Sequence, residues 1–498
     1  MFAKAGDVYC VYNTHLKKYT ACQITKLEEE GEKLKAILLS LDWVGEQPLK
    51  EEELSSLKPL YKDFMYWERG LHLSYVDINV PANYIFIGNR SPLTTESTNA
   101  YAVSWENGYD VYRQLKWQEI PKEKRDFFKK ADKSKEKVLF LGEECAISRQ
   151  NLNSKLTEFD DALELKVFPC LSELTLNKWP QNLYEYLQFN PFLNVIKLEN
   201  HEQTKLDFSH TYLRRLTLDM TGVKELQLND DLEELILIGD FNENCQIQAK
   251  ENGANLRLQR HKSAPIVQGL KDLGALHCSG ILEIDFAQVL SCYPKLRELR
   301  LWGKPGNIRN FYKLSEFKEL AVFSTVDLFG FTAEDIPRPE DLPKLNMFWM
   351  SSLPEDAAKV AKTYYKKQQE KGLNLWIQKP RKSEWLAQNL NNPFRSWDGQ
   401  ENISAANAKK AATLYKKTRA GISKLVKSSA DEMMQQVTDL VRVYTEGFNK
   451  MDKRNYFIET SEREDIYTAL VDLLNLIPAE FNINKEKLLQ VFDELRDF

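Results

Sequence analysis

The chain has 498 residues, 43% of them hydrophobic and 28% charged, a balance that excludes a disordered or fibrous polymer and calls for about two to four packed parts. Lys and Arg number 68 against 73 Asp and Glu, a net charge of −5, so the total gives no reason to expect nucleic acid or an anionic membrane as partner. The opening Met1–Cys10 is polar and charged, and apolar runs such as Val138–Leu141 fall far short of the ~20 residues that cross a bilayer.

Residues 1–125 read as a β-rich domain. Val8–Tyr12, Tyr19–Ile24, Ala36–Val44 and Asn83–Ile87 are rich in strand-favouring residues, and Asn13-Thr14 offers a turn between the first two. They predict a small curled antiparallel sheet with a helix on one side. Residues 126–150 read as a charged linker or helix, around Lys129-Lys130, Lys133 and Lys135.

Residues 151–353 carry a recurring L-x-x-L-x-L unit. It runs as Leu171/Leu174/Leu176, Leu193/Ile196/Leu198, Leu213/Leu216/Leu218, Val223/Leu226/Leu228 and Leu232/Leu235/Leu237. It continues as Leu273/Leu276/Cys278, Leu296/Leu299/Leu301, Phe317/Leu320/Val322 and Leu345/Phe348/Met350. The two residues of L-x-L point inward on a short strand, and the earlier leucine closes the bend before it. One unit cannot bury its apolar side alone, so neighbours must stack into a solenoid with a continuous core. Steps of 20 to 23 residues recur between units, but those flanking Val223 are about half as long, too short for a full coil. Leu213 and Leu232 are therefore expected on the strand side and Val223 on the return side.

Residues 354–400 read as a helix opened by Pro354 and stopped by Gly372, a last strand at Leu375-Trp376-Ile377, and an aromatic loop from Asn391 to Gly399. Residues 401–498 read as a helical bundle, with Ser404 and Asn484 as caps and Ser461-x-x-Glu464 as a capping box. The fold class is α+β.

No phosphate-loop, dinucleotide, zinc-protease or nucleophile-elbow motif is present. The seven cysteines are scattered, without a C-x-x-C pair, which points to reduced thiols in a cytoplasmic protein. The six histidines lack metal-ligand spacing; His277 and Cys278 are adjacent in a strand and must point to opposite faces. The stretch Glu459–Asp465 is the one cluster suited to a divalent cation, with Glu459, Glu462 and Asp465 as a metal-dependent alternative; acidic residues opening a helix are expected from the macrodipole alone, which is the favoured reading. No cofactor is expected.

Binding is the better supported function. Residues beside and between the inward leucines face outward, and Glu173, Arg215, Glu225, Glu234, Ile236, Glu298, Arg300, Trp302, Glu319, Phe323 and Trp349 are the candidate partner-binding residues. The glutamates would form a negative column. Trp302, Phe323 and Trp349 would be exposed aromatic anchors, with Trp349 open between partner surface and cover by the helices after Pro354.

The repeat resembles the leucine-rich repeat, a family of binding scaffolds. Ala5–Tyr12 with Lys18–Ile24 is similar to the start of small immunity-protein domains of bacterial polymorphic toxin systems. The region from Trp385 through Asn392-Pro393-Phe394-Arg395 to Phe457–Thr460 resembles the end of bacterial leucine-rich-repeat proteins filed under gliding motility. These resemblances imply a cytoplasmic, non-enzymatic immunity protein whose partner is a cognate toxin or effector, with a general scaffold or adaptor as the alternative.

Overall fold

The computed structural model describes residues 2–30, 33–81, 83–102, 105, 108–152, 159–242, 245–425, 430–453, 456–478, 481 and 483–498. Helices and strands are both abundant, so the chain is α+β. It divides into two compact units, Met1–Pro380 and Arg381–Phe498. Among the described residues no helix is long and apolar enough to cross a membrane.

The first unit opens with a five-stranded antiparallel sheet in the order Leu73–Asp77, Lys33–Gly45, Lys18–Glu30, Asp7–Asn13, Ile85–Asn89. Its central strands are buried on both faces, which is why Val8–Val11 is apolar at successive positions rather than alternating. Register shifts between Thr20 and Cys22 and between Ile24 and Lys26 interrupt the longest pairing and increase the local twist. The entry turn explains its Gly-Asp pair. Gly6 sits at φ +90°, and a Cβ there would lie 2.5 Å from the Arg90 carbonyl oxygen. Buried Asp7 accepts hydrogen bonds from the Lys4 backbone, the Tyr9 hydroxyl and the Asn89 amide at 2.8–3.0 Å.

Residues 151–381 contribute eleven strands to a single sheet, laid down in chain order from Asn151–Leu152 to Asn374–Arg381. From the first of these to Met347–Pro354, every neighbouring pair is parallel. Leu174, Ile196, Leu216, Leu235, Leu258, Leu276, Leu299, Phe323 and Phe348 are successive register partners, and all are buried in one continuous core. Val223 leads instead into Glu225–Gln227, which pairs with Lys205–Asp207 and Gln246–Gln248 in a separate three-stranded parallel sheet. Buried amides brace the turns: Asn190 donates to the Leu171 carbonyl at 3.1 Å and Asn229 to the Leu213 carbonyl at 2.7 Å.

One register differs from expectation. Phe323, not Leu320, pairs with Leu299, so the inward set is Leu320, Phe323 and Thr325 rather than Phe317, Leu320 and Val322. Val322 and Phe323 are both apolar, so the pattern permits either face; the parallel pairing places the larger ring in the core, where it lies tilted against Phe348 at 5.6 Å.

The stretch 126–150 holds the end of the helix Lys122–Asp132 and a hairpin of Lys137–Phe140 with Glu143–Ala146. The helices Tyr109–Glu119 and Lys122–Asp132 lie between the five-stranded sheet and the eleven-stranded sheet. Phe64, Trp117, Phe128, Cys170 and Phe192 form a buried cluster there, with Phe128 and Phe192 rings 4.6 Å apart. Polar contacts reach the turns that lead into the parallel strands: Tyr109 to Glu233 at 2.9 Å, Lys116 to Asp231 at 3.1 Å, and Asn255 to the Thr14 carbonyl at 3.1 Å.

The second unit is helical, with Ser383–Asn389, Ala405–Ser423, Ala430–Asp452, Thr460–Asn475 and Lys485–Leu495. Ser404 and Asn484 accept from the Asn407 and Lys487 amides, as N-caps do. The helix after residue 458 is capped by Glu459 and Glu462 rather than by Ser461 and Glu464, two residues earlier than the motif predicts. Its core gathers Phe394, Trp397, Tyr444, Phe448, Ile466 and Leu470. Arg381 lies 3.8 Å over the Trp385 ring, and both donate to Asp398 at 2.8 and 2.9 Å.

Candidate interaction surface

On the outward face of the parallel sheet, the pairing register fixes which side chains become neighbours. Glu173, Val195, Arg215, Glu234, Arg257, Ala275, Glu298, Val322 and Met347 follow one another across the strands. The next column reads Thr175, Lys197, Thr217, Ile236, Gln259, His277, Arg300, Ser324 and Trp349.

The expected negative column is not there. Glu225 stands on the three-stranded sheet, and Glu319 precedes its strand and pairs with Lys344. Of the rest, Glu234 is buried between Arg215, Arg257 and Gln259, and Glu298 takes hydrogen bonds from His277 at 2.6 Å and Arg300 at 2.7 Å. Burial alone would raise the Glu298 carboxyl, but the His277 hydrogen bond and the Arg300 charge outweigh it and hold it at about 2. Parallel pairing sets Arg215 and Arg257 against Glu234 on the neighbouring strands, whereas Glu298 draws Arg300 from its own strand and His277 from the one beside it. Glu173 stays exposed.

The expected aromatic end is there in part. Phe323 is fully buried because its register turns it into the core, and it is no surface anchor. Trp302 and Trp349 are half-buried, and Ile236 likewise. Trp302 meets the His277 ring edge-on at 6.1 Å. Trp349 lies 5.8 Å from Trp376, which is 39% exposed, and donates its indole N–H to Asn374 at 3.0 Å. Val322, Val326 and Met347, all half-buried, fill the space between these rings' strands. Trp376 is the member that sequence reasoning omitted, although its strand at Leu375–Ile377 was a visible signal.

Two other clusters bear on chemistry. Ser40 Oγ lies 2.7 Å from His72 Nδ1, and His72 Nε2 lies 2.6 Å from Asp110 Oδ2. A ring proton on Nε2 satisfies both partners, with Ser40 donating to Nδ1. Ser40 is 3% exposed, so its hydroxyl is shielded from any substrate, and the chain of bonds ties strand Lys33–Gly45 to helix Tyr109–Glu119. No sequence motif announces residues so far apart. In the acidic stretch, Glu462 accepts from the Glu459 amide at 3.0 Å and from Asn402 at 3.2 Å, while Asp465 accepts from the Trp397 indole at 2.9 Å. Burial raises the Asp465 carboxyl. These carboxylates are engaged in capping and core bonds, and among the described residues no group of three or more His, Cys, Asp and Glu is placed to hold a metal ion. Cys278 is buried behind the sheet, opposite His277, and burial pushes its thiol up to about 12.

No protein-family model matches this chain, and no curated protein or solved structure matches it.

Proposed function

We propose that the chain is a non-enzymatic binding protein, built as a β-rich domain, an irregular leucine-rich-repeat solenoid and a terminal helical bundle, and that it neutralises a cognate toxin or effector by direct contact in the cytoplasm. The observation that carries the binding reading is the run of large apolar side chains on consecutive outward strands: Trp302, Val326, Trp349 and Trp376. Aromatic anchors beside donors such as Arg300 are what protein-binding hot spots are made of. The choice of a toxin as partner follows the resemblances of the Gly6-Asp7 opening and the terminal region.

The test is binding to a toxin-like protein encoded beside this gene, measured by calorimetry with purified partners. Trp302→Ala and Trp349→Ala should each weaken binding by on the order of 2 kcal/mol, or roughly 30-fold. Unchanged affinity in both variants would remove this surface, and no interaction with any neighbouring gene product would remove the toxin reading while leaving a scaffold or adaptor role.

A further inference from the structure

Where helix Tyr109–Glu119 meets the turns before the parallel strands, the surface opens into a cleft of about 230 Å³. Its walls are largely apolar and aromatic, with Phe64, Trp117, Phe192 and Tyr212 among them. Four cations and two carboxylates also line it, so its local charge is positive.

The cations differ in how they are occupied. Arg214 is clamped by both Glu233 oxygens at 3.0 and 2.8 Å, and Lys116 is shared between Glu119 and Asp231 at 3.1 Å each. Arg113 has no such partner among the described residues. It sits 5.2 Å over the Phe64 ring, and its one hydrogen-bond acceptor among them is the Met65 sulfur at 3.6 Å, a weak acceptor. The carboxylates nearest in charge, Glu233 and Asp110, are committed to Arg214 and Tyr109 and to His72 and Lys62. Burial lowers the Arg113 pKa, so the guanidinium carries a desolvation cost that no described carboxylate offsets at ion-pair distance. A fork of donors over an aromatic floor matches a planar anion in charge and in shape.

We infer that this cleft is a binding site for a small aromatic acid, a carboxylate or phosphate attached to a flat ring, with Arg113 receiving the anionic group and the aromatic walls receiving the ring. The volume suits one ring and its substituent: an engineered apolar cavity of about 150 Å³ takes up benzene. The site is separate from the outward sheet face, and its test requires no protein partner.

The probes are benzoate, phenyl phosphate and the neutral benzamide, titrated into the full chain and followed by saturation-transfer NMR. At least one of the two anions should bind at least roughly tenfold more tightly than benzamide, because a charge-assisted bond to a desolvated guanidinium is at stake. Arg113→Met, which keeps an unbranched apolar stem but removes the guanidinium, should abolish that preference while leaving weak ring binding. Tyr212→Ala, at a position 46% exposed and therefore tolerant of change, should weaken anions and benzamide alike. A preference for phenyl phosphate over benzoate would identify a phosphate ligand, and the reverse a carboxylate. Equal binding of anions and benzamide, an undiminished anion preference in Arg113→Met, or no saturation of any probe up to about 10 mM would overturn the inference.

Discussion

Replacing Glu298 by Gln tests whether the outward face is held together by its own charges. The carboxylate is 19% exposed, receives His277 and Arg300 on one oxygen, and has its pKa moved from the usual 4.5 to about 2. A carboxyl depressed in the folded state adds stability that is complete above its unfolded value and vanishes as pH falls through its folded value. The full effect between 4.5 and 2 corresponds to about 3 kcal/mol, an upper figure given partial exposure to solvent. Glutamine keeps the shape and one acceptor but loses the charge. At pH 7 the variant should therefore be less stable by up to about 3 kcal/mol, and the gap should close between pH 4.5 and pH 2. Because the chain has two units, a single global unfolding curve mixes their transitions. Hydrogen exchange read by mass spectrometry on peptides spanning Ala275–Asp285 and Glu298–Arg309 isolates the relevant strands. Wild-type and variant protection falling in parallel from pH 5 to pH 2 would refute the assignment of this stability to Glu298.

Two further substitutions separate core from surface on the same strands. Phe323→Ala should cost about 3 to 5 kcal/mol, because it empties a fully buried ring site; a shift in the urea midpoint below about 1 kcal/mol would contradict the pairing of Phe323 with Leu299. Gly303→Ala should lower the melting temperature of the first unit, since the added Cβ would fall 2.0 Å from the Asp327 carbonyl oxygen on the next strand; an unchanged transition in calorimetry would show that the strands are not so closely spaced.

Much of the organisation was legible because it rests on periodicity. The L-x-L leucines become register partners one strand after another, and the half-length steps at Val223 mark a strand outside the main sheet. Periodicity fails where two adjacent residues are equally apolar, as at Val322-Phe323, since only the neighbouring strand chooses between them. It also fails where spacing hides structure. Gly303-Lys304-Pro305-Gly306 reads as a loop, yet it lies within strand Glu298–Arg309, and its glycines admit the Asp327 and Ile281 carbonyls to 2.0 and 2.3 Å of where a Cβ would stand. The glutamates were visible one by one but their partners were not. Arg215 meets Glu234, and His277 meets Glu298, across 19 and 21 residues that a linear reading does not bring together. Nothing in the linear sequence marks Arg113, because its place over the Phe64 ring at the cleft, beyond ion-pair distance of every described carboxylate, exists only in the fold.

The outward face therefore has two regions with different physics. Toward its middle, Glu234 and Glu298 each satisfy several donors already, so a partner meeting them gains little without breaking bonds whose loss would strand charge at a half-dry surface. From the Glu298–Arg309 strand onward, Trp302, Trp349 and Trp376 present ring area whose transfer from water is favourable without any pair being broken, at roughly 25 cal/mol for each Å² covered. Salt should accordingly weaken partner binding only slightly. In the binding role proposed above, the choice among partners would fall to shape around the tryptophans, while the charged middle would reject surfaces whose own charges it cannot pair.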